Sequence, residues 1–598
     1  MKKVSEYQKV KKGLIVVAVS LAIVSCQNAD TNKSQRNKSV NSQQEVKQQQ
    51  AEVLTALKQE QKRVANDTKL QVEQEQIVVT GSRVHATSYE ADALSIQYAP
   101  PASPYPVIDQ VNRENYKHFE DSGIFVTREN PVSTFSIDVD TGSYSNVRRM
   151  LNDGYLPPQD AVRLEEFINY FDYDFTTPSS TDMPFAVSTE TMVAPWNKDA
   201  HIVQIGIKGF EPEQQQLPPS NLVFLVDVSG SMQSPDKLGL VKKALKLLVR
   251  ESKTQDKISL VVYAGASGVV LEPTGGDQKI KIEQAIDNLT TGGSTNGGAG
   301  IELAYKMAQQ GFIKDGINRV ILATDGDFNV GTTNHEQLID LIERKRQSGV
   351  FFSGLGFGTG NYNEHLMEEL TNKGNGNYGY IDSLQEAKKL LVDQRAGTLM
   401  TIAKDVKIQV EFNPNVVSEY RLLGYENRAL NREDFNNDKV DAGEIGAGHS
   451  ITALYEVVLT DSSNKRIDDL RYSSAYQQQS QTHDQSLANE AAMVKLRYKL
   501  PDQETSRLTQ QVINKADFFQ RKANSENIQF ATSAASFAQL LRGGRYLEGW
   551  SWQDAIDYAN QAKGRDNNGY RAEMVQLMKM AQLLEKPEHS QVGMIEER

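Results

Sequence analysis

At 598 residues the chain is too long for a single core, and at roughly 150 residues per domain it calls for about three or four globular units plus linkers. A formal net charge of −12, with no Lys/Arg stripe to offset phosphate repulsion, excludes nucleic acid as a partner. The single cysteine, Cys26, excludes an intrachain disulfide, so the fold must rest on packing, with metal as the remaining aid.

In chain order, Lys2, Lys3, Lys9, Lys11 and Lys12 precede an apolar run over residues 13–24. That run is too short to span a bilayer but has the length of a signal-peptide core. It ends in Ile23-Val24-Ser25-Cys26, which resembles the lipobox of bacterial lipoproteins. The resemblance implies that residues 1–26 are a lipoprotein signal peptide and that Cys26 is lipidated and becomes the new N-terminus. At ~0.8 kcal/mol per buried CH₂, several acyl chains hold a protein on a membrane without a spanning helix. Gln27 stands where lipoproteins associate Asp with inner-membrane retention, which points to the outer membrane, facing the periplasm. An ordinary secretory signal with an incidental cysteine is the other reading.

Residues 27–115 read as a disordered tether, because the stretch to about residue 76 is rich in Gln, Asn, Ser and Lys and lacks apolar residues for a core. Within it, residues 76–83 (Gln-Ile-Val-Val-Thr-Gly-Ser-Arg) resemble the segment that opens the plug of TonB-dependent outer-membrane receptors, which implies a TonB-type contact. An isolated β-prone stretch in a linker explains the same residues, and both readings stay open. Residues 116–182 turn globular: a strand over 133–140, then helices over 143–151 and 162–171 separated by Pro157-Pro158. Residues 183–220 form a β-rich flank, with alternating strands over 185–193 and 201–208.

Over residues 221–395, short apolar runs alternate with amphipathic helices. Strands are predicted at 222–226, 258–263, 319–323, 350–357 and 378–381, and helices at 238–250, 280–289, 300–309 and 336–346. Strands apolar on both faces and separated by helices indicate a doubly wound, mostly parallel α/β sheet. Residues 396–505 return to a period of two, at 406–412, 418–423, 450–459 and 493–500, as in a small antiparallel sandwich. Residues 506–598 read as helical, at 508–520, 531–541, 552–562 and 570–584, with Trp550 and Trp552 in a packed corner.

The chemistry concentrates after the first strand of the α/β domain, in Asp227-Val228-Ser229-Gly230-Ser231-Met232. Doubly wound domains bind ligands at the carboxyl edge of the sheet. There D-x-S-x-S lets alternate residues of one loop turn a carboxylate and two hydroxyls, all hard oxygen donors, to one point. Two further loops have the same character: Gly292-Gly293-Ser294-Thr295-Asn296 and Thr324-Asp325-Gly326. Together these residues resemble the metal-ion-dependent adhesion site (MIDAS) of a von Willebrand factor A (VWA) domain, a Rossmann-like fold. Asp227, Ser229 and Ser231 match its first motif, Thr295 its second and Asp325 its third. The resemblance implies octahedral Mg²⁺ (or Mn²⁺ or Ca²⁺), some ligands acting through water, and a partner's Asp or Glu carboxylate completing the sphere. Two carboxylates and three hydroxyls roughly neutralise a divalent ion and leave it electrophilic toward that carboxylate.

The order of segments also resembles a bacterial family of lipid-anchored VWA proteins, with a von Willebrand N-terminal segment over residues 130–175 and a C-terminal region marked by Ala531-Thr532-Ser533-Ala534-Ala535-Ser536-Phe537. It implies a membrane-tethered, cation-dependent adhesion or scaffold module in the cell envelope; the alternative is an accessory subunit of an envelope transport or assembly machine. Other acidic groups are weaker. Asp138-Val139-Asp140 lacks the Thr of a phosphatase loop, and Asp434 to Glu444 has Lys439 where a calcium loop needs Gly. No nucleophile has a base partner and the eight histidines are scattered, so an enzyme is not indicated.

Overall fold

The computed structural model describes residues 114–178, 183–213, 217–292, 297–326, 335–468, 487–520 and 523–585. The signal, the tether up to residue 113, Cys26, residues 76–83 and Thr295 lie outside them.

The strands are β1 (Phe125–Val126), β2 (Val132–Ser136), β3 (Phe185–Ala194) and β4 (Asn197–Gly209), then β5 (Ser220–Asp227), β6 (Lys257–Tyr263), β7 (Ser267–Gly275), β8 (Ile317–Thr324), β9 (Phe351–Phe357) and β10 (Tyr378–Ile381). After the α/β domain follow β11 (Thr401–Phe412), β12 (Val417–Leu423), β13 (Gly443–Gly446), β14 (Ser450–Leu459), β15 (Glu490–Lys499) and β16 (Arg507–Asn514).

The central sheet runs β10-β9-β8-β5-β6-β7. All its pairs are parallel except β6 with β7. The strand β5, buried at every position, sits in the middle. Helices Leu238–Arg250 and Lys279–Asp287 cover one face through Leu245, Leu248 and Ile282. Helices Gly297–Gln310, His335–Arg346 and Glu364–Lys373 cover the other through Tyr305, Leu338 and Met367. This is the doubly wound α/β fold expected from the alternation of apolar runs and helices. Two of its elements were illegible. The edge strand β7 exposes Val269 and Val270 and lacks a clean alternation, and helix Glu364–Lys373 starts on an Asn363 side chain that accepts from the Leu366 amide at 3.3 Å.

The β-rich flanks on either side of this domain form one sandwich. One sheet is β1-β12-β14-β4-β3; the other is β13-β11-β15-β16, with β2 added on β11. Thus β2 pairs with β11 from Ser136 opposite Lys407, and β4 pairs with β14 from Ile207 opposite Ile451. Phe135, Ile205, Val410 and Tyr455 share the core between the sheets.

Residues 508–520, read as a helix, are instead strand β16 followed by a 3₁₀ turn, Lys515–Phe519. Leu508, Val512 and Ile513 fit either period, but pairing Met493 with Val512 and Leu496 with Thr509 satisfies the open edge of β15. A long-range ladder overrides a weak local pattern. The helical tail therefore begins only at Glu526, with helices Glu526–Leu541, Trp552–Ala562 and Tyr570–Glu585. These complete the core of the segment before the α/β domain, helices Gly142–Asn152 and Leu164–Asn169. Phe537 meets Phe167 edge-on at 5.5 Å, and Phe530 meets Phe171 at 4.9 Å. Trp552, 6.0 Å from Phe537, is core packing as expected.

Buried ion pairs tie these layers to the α/β domain. Arg148 donates to Asp382 and Glu386 of that domain and to Glu573 of the last helix. Arg163 reaches Glu368 at 2.8 Å, and Arg428 reaches Asp138 at 2.8 Å and Glu368 at 3.2 Å. Arg428 and Arg163 face more carboxylates than they neutralise, so burial pushes Glu165 up to about 8 and Glu364 up to about 7.

Candidate metal centre

Asp227 is the last residue of β5, where the chain leaves the buried centre of the sheet. Its loop is pinned on both sides: the Val228 amide donates to the Tyr263 carbonyl at 3.0 Å and the Gly292 amide to the Val228 carbonyl at 2.8 Å. Met232, fully buried, plugs the 3₁₀ turn Gly230–Gln233 beneath it.

This anchoring fixes the donors. The Ser229 amide donates to Asp227 Oδ1 at 2.8 Å, while the Thr324 hydroxyl and the Tyr263 hydroxyl donate to Asp227 Oδ2 at 3.0 and 3.2 Å. Ser229 and Ser231 Oγ lie 2.9 Å apart, so the two hydroxyls converge on one point. Asp325, fully buried at the end of β8, is the neighbour across the sheet. Burial pushes the Asp227 carboxyl up to about 6, with the Asp325 charge adding to the rise and the Ser229 and Thr324 bonds opposing it.

The structure thus brings four of the five residues expected from sequence, Asp227, Ser229, Ser231 and Asp325, to one edge of the sheet; Thr295 lies outside the described residues. The donor set suits a hard divalent cation, with two buried carboxylates and paired hydroxyls in two adjacent loops. Among the described residues no group of three or more His, Cys, Asp or Glu is placed to hold a metal ion. Gly326 holds φ +84°, and a Cβ there would lie 2.5 Å from the Asn363 amide nitrogen.

Sequence reasoning missed Lys237. Its ammonium donates to Asp325 Oδ2 at 2.9 Å and to Asn361 Oδ1 at 3.1 Å, and Asn361 Nδ2 also reaches Asp325 at 3.3 Å. The stem crosses Gly358, where a Cβ would come within 2.3 Å of Lys237 Cγ. No motif places a lysine there. The glycine at 358 is the nearest hint, and its role shows only once the fold is known.

The discounted acidic groups have structural partners. Asp138 and Asp140 hold Arg428 and the Tyr378 amide. The turn from Asp434 is a 3₁₀ helix with an Asn431–Asp434 capping box, and Lys407 and Lys499 bind its carbonyls.

The model for the von Willebrand factor type A domain matches residues 221–393, a von Willebrand factor model matches 110–204, and the model described as "Uncharacterized protein YfbK, C-terminal" matches 397–584. Protein YfbK of Escherichia coli (strain K12) is 46% identical over 477 residues, covering 78% of this chain and 80% of its own. The inter-alpha-trypsin inhibitor heavy chain H3 of Homo sapiens is 26% identical over 270 residues, 42% of this chain and 29% of its own. Among solved structures, a von Willebrand factor type A protein from Catenulispora acidiphila has a TM-score of 0.38 at 15% identity and covers 68% of this chain and 91% of its own. Proximal thread matrix protein 1 from the mussel byssus, with a zinc-occupied MIDAS motif, has a TM-score of 0.25 at 21% identity over 34% of this chain and 46% of its own. Type A domains commonly bind a metal at that motif and mediate protein–protein contacts.

Proposed function

Given that this chain belongs to the YfbK family of proteins built around a von Willebrand factor type A domain, we propose that it is a docking protein of the bacterial envelope that captures an acidic partner through a divalent cation. The observation that carries the reading is the convergence of Ser229 and Ser231 Oγ, 2.9 Å apart, beside the buried carboxylates of Asp227 and Asp325. In this proposal Mg²⁺, with Mn²⁺ and Ca²⁺ as substitutes, is held by those four residues and Thr295. The ion supplies an electrophilic centre for an Asp or Glu carboxylate of a protein ligand. Asp227 and Asp325 set the charge, and the Tyr263 and Thr324 hydroxyls orient the Asp227 oxygens. The role is adhesive or scaffolding, not catalytic.

Lipidation at Cys26 completes the proposal, tethering the chain to the outer membrane on its periplasmic side through residues 27–115. The test is Mg²⁺ titration by calorimetry alongside partner capture from membrane extract. Mg²⁺ binding and EDTA-sensitive capture are expected from the parent chain, and neither from Asp227→Ala. Capture that is unchanged in EDTA refutes the reading.

A further inference from the structure

A second site, away from the metal centre, lies where the α/β domain meets both flanking regions. There a cavity of about 170 Å³ opens between β8 and β9, the turn after residue 388, and the loop that joins β13 to β14. At ~10–15 Å³ per water-sized position, it has room for on the order of ten such positions.

Its walls fall into two zones. Ile321, Leu355, Leu390 and Leu391 make an apolar floor. Among the lining residues of the rim the carboxylates of Asp172, Glu211 and Asp393 stand against one ammonium, that of Lys208, while behind the lining the buried Lys389 interacts with Asp172 and the buried Arg319 with His449. Lys208 is already engaged, donating to the Gly448 carbonyl at 2.7 Å and Ser450 Oγ at 3.1 Å. Asp393 holds Lys388 at 2.7 Å, whereas Asp172 and Glu211 are solvent-facing.

Between the zones stands His449, whose Nδ1 is buried without a hydrogen-bond partner among the described residues. Burial lowers this imidazole to about 4, so it is neutral at physiological pH and can offer a ring-nitrogen lone pair. A buried polar atom without a partner is destabilising, a penalty that a donor in the cavity would remove. Leu390, Leu391 and Asp393 belong to a π turn, Lys389–Asp393, a local geometry that is rare and enriched at functional sites.

We propose that this cavity binds a small aliphatic ammonium ion, a mono- or diamine of about five to ten heavy atoms. Its alkyl body lies on the Ile321–Leu355 floor and its ammonium donates to His449 Nδ1 and the carboxylates of Asp172 and Glu211. An anion is disfavoured by the excess of carboxylates, and a neutral alcohol of the same shape lacks the charge that the rim attracts. The site does not depend on the metal proposal, since none of the expected metal ligands lines it.

The test is calorimetric titration of the full chain in EDTA with putrescine, butylamine, 1-butanol and glutarate. Saturable binding of at least one amine is expected, with butanol at least tenfold weaker and glutarate without effect. The double variant Asp172→Asn/Glu211→Gln, at solvent-facing positions, should keep the parent's circular dichroism spectrum and lose at least tenfold in amine affinity. His449→Phe, which keeps a ring against Gly397, should also weaken it. Absence of saturable amine binding, equal binding of butanol, preference for glutarate, or unchanged affinity in the double variant overturns the proposal.

Discussion

Replacing Lys237 with Met should tighten Mg²⁺ binding. In the structure the Lys237 ammonium, whose side chain is only 9% exposed, donates at 2.9 Å to the fully buried Asp325 carboxylate. A cation using Asp325 must therefore displace a charge-assisted hydrogen bond, which is worth ~1.5–3 kcal/mol. At about 1.4 kcal/mol per tenfold, removing the competitor predicts a dissociation constant lower by roughly 10- to 100-fold. Met keeps the stem across Gly358 and removes only the charge. The same change takes a cationic partner from the buried Asp325 of the metal-free chain, which keeps its Asn361 bond at 3.3 Å, so Mg²⁺ should raise the melting temperature more in the variant than in the parent. Calorimetry and thermal unfolding with and without Mg²⁺ read both effects. Equal or weaker Mg²⁺ binding by Lys237→Met would refute the reasoning, because the ammonium would then assist the ion or ignore it.

Gly326→Ala, which places a Cβ 2.5 Å from the Asn363 amide nitrogen at φ +84°, should cost at least ~1 kcal/mol and weaken Mg²⁺ binding by shifting Asp325; denaturant unfolding and calorimetry check both. Phe537→Ala should remove ~3–5 kcal/mol by emptying the space against Phe167 and Trp552, seen as an earlier transition in circular dichroism. Glu165 and Glu364 are raised in the fold to about 8 and about 7, above an unfolded value of 4.5, so the fold favours their protonated forms. Their contribution is complete below that unfolded value and is lost as pH rises through the folded values. Above about pH 6.5, where the buried His449 no longer adds stability with rising pH, the denaturant midpoint should therefore fall up to about pH 8.5, and a midpoint that rises over that window contradicts the assignment. Cys26→Ser should move the chain from the membrane to the soluble fraction on fractionation, and deletion of residues 76–83 should leave Mg²⁺ titration unchanged.

The α/β domain was legible because its signal is local. Fully apolar runs such as 222–226, each followed by an amphipathic helix, state strand, burial and parallel pairing together. The placement of Asp227, Ser229, Ser231 and Asp325 at one edge of the sheet was legible for a related reason, since they lie at or just past the ends of such strands. Illegible features depend on residues far apart in the chain. Leu508 to Ile513 reads as a helix until β15 supplies a partner edge, and the helical tail hides its purpose until Phe537 and Phe530 are seen against Phe167 and Phe171. Lys237 is the clearest case: its approach to Asp325 is set by the bend at Gly358, which has no signature in sequence.

The sandwich draws β2 and β4 from before the α/β domain and their partners β11 and β14 from after it, which sets an order of assembly. During synthesis the early strands emerge with their mates still unmade, and only the β3–β4 hairpin can close locally. Folding of the intervening domain shortens the loop that β11 must close to reach β2, and so reduces the entropy of that closure. A lesion that slows folding of the α/β domain would then leave open edges on β2 and β4 for as long as the delay lasts. Aggregation of the nascent chain is the expected consequence.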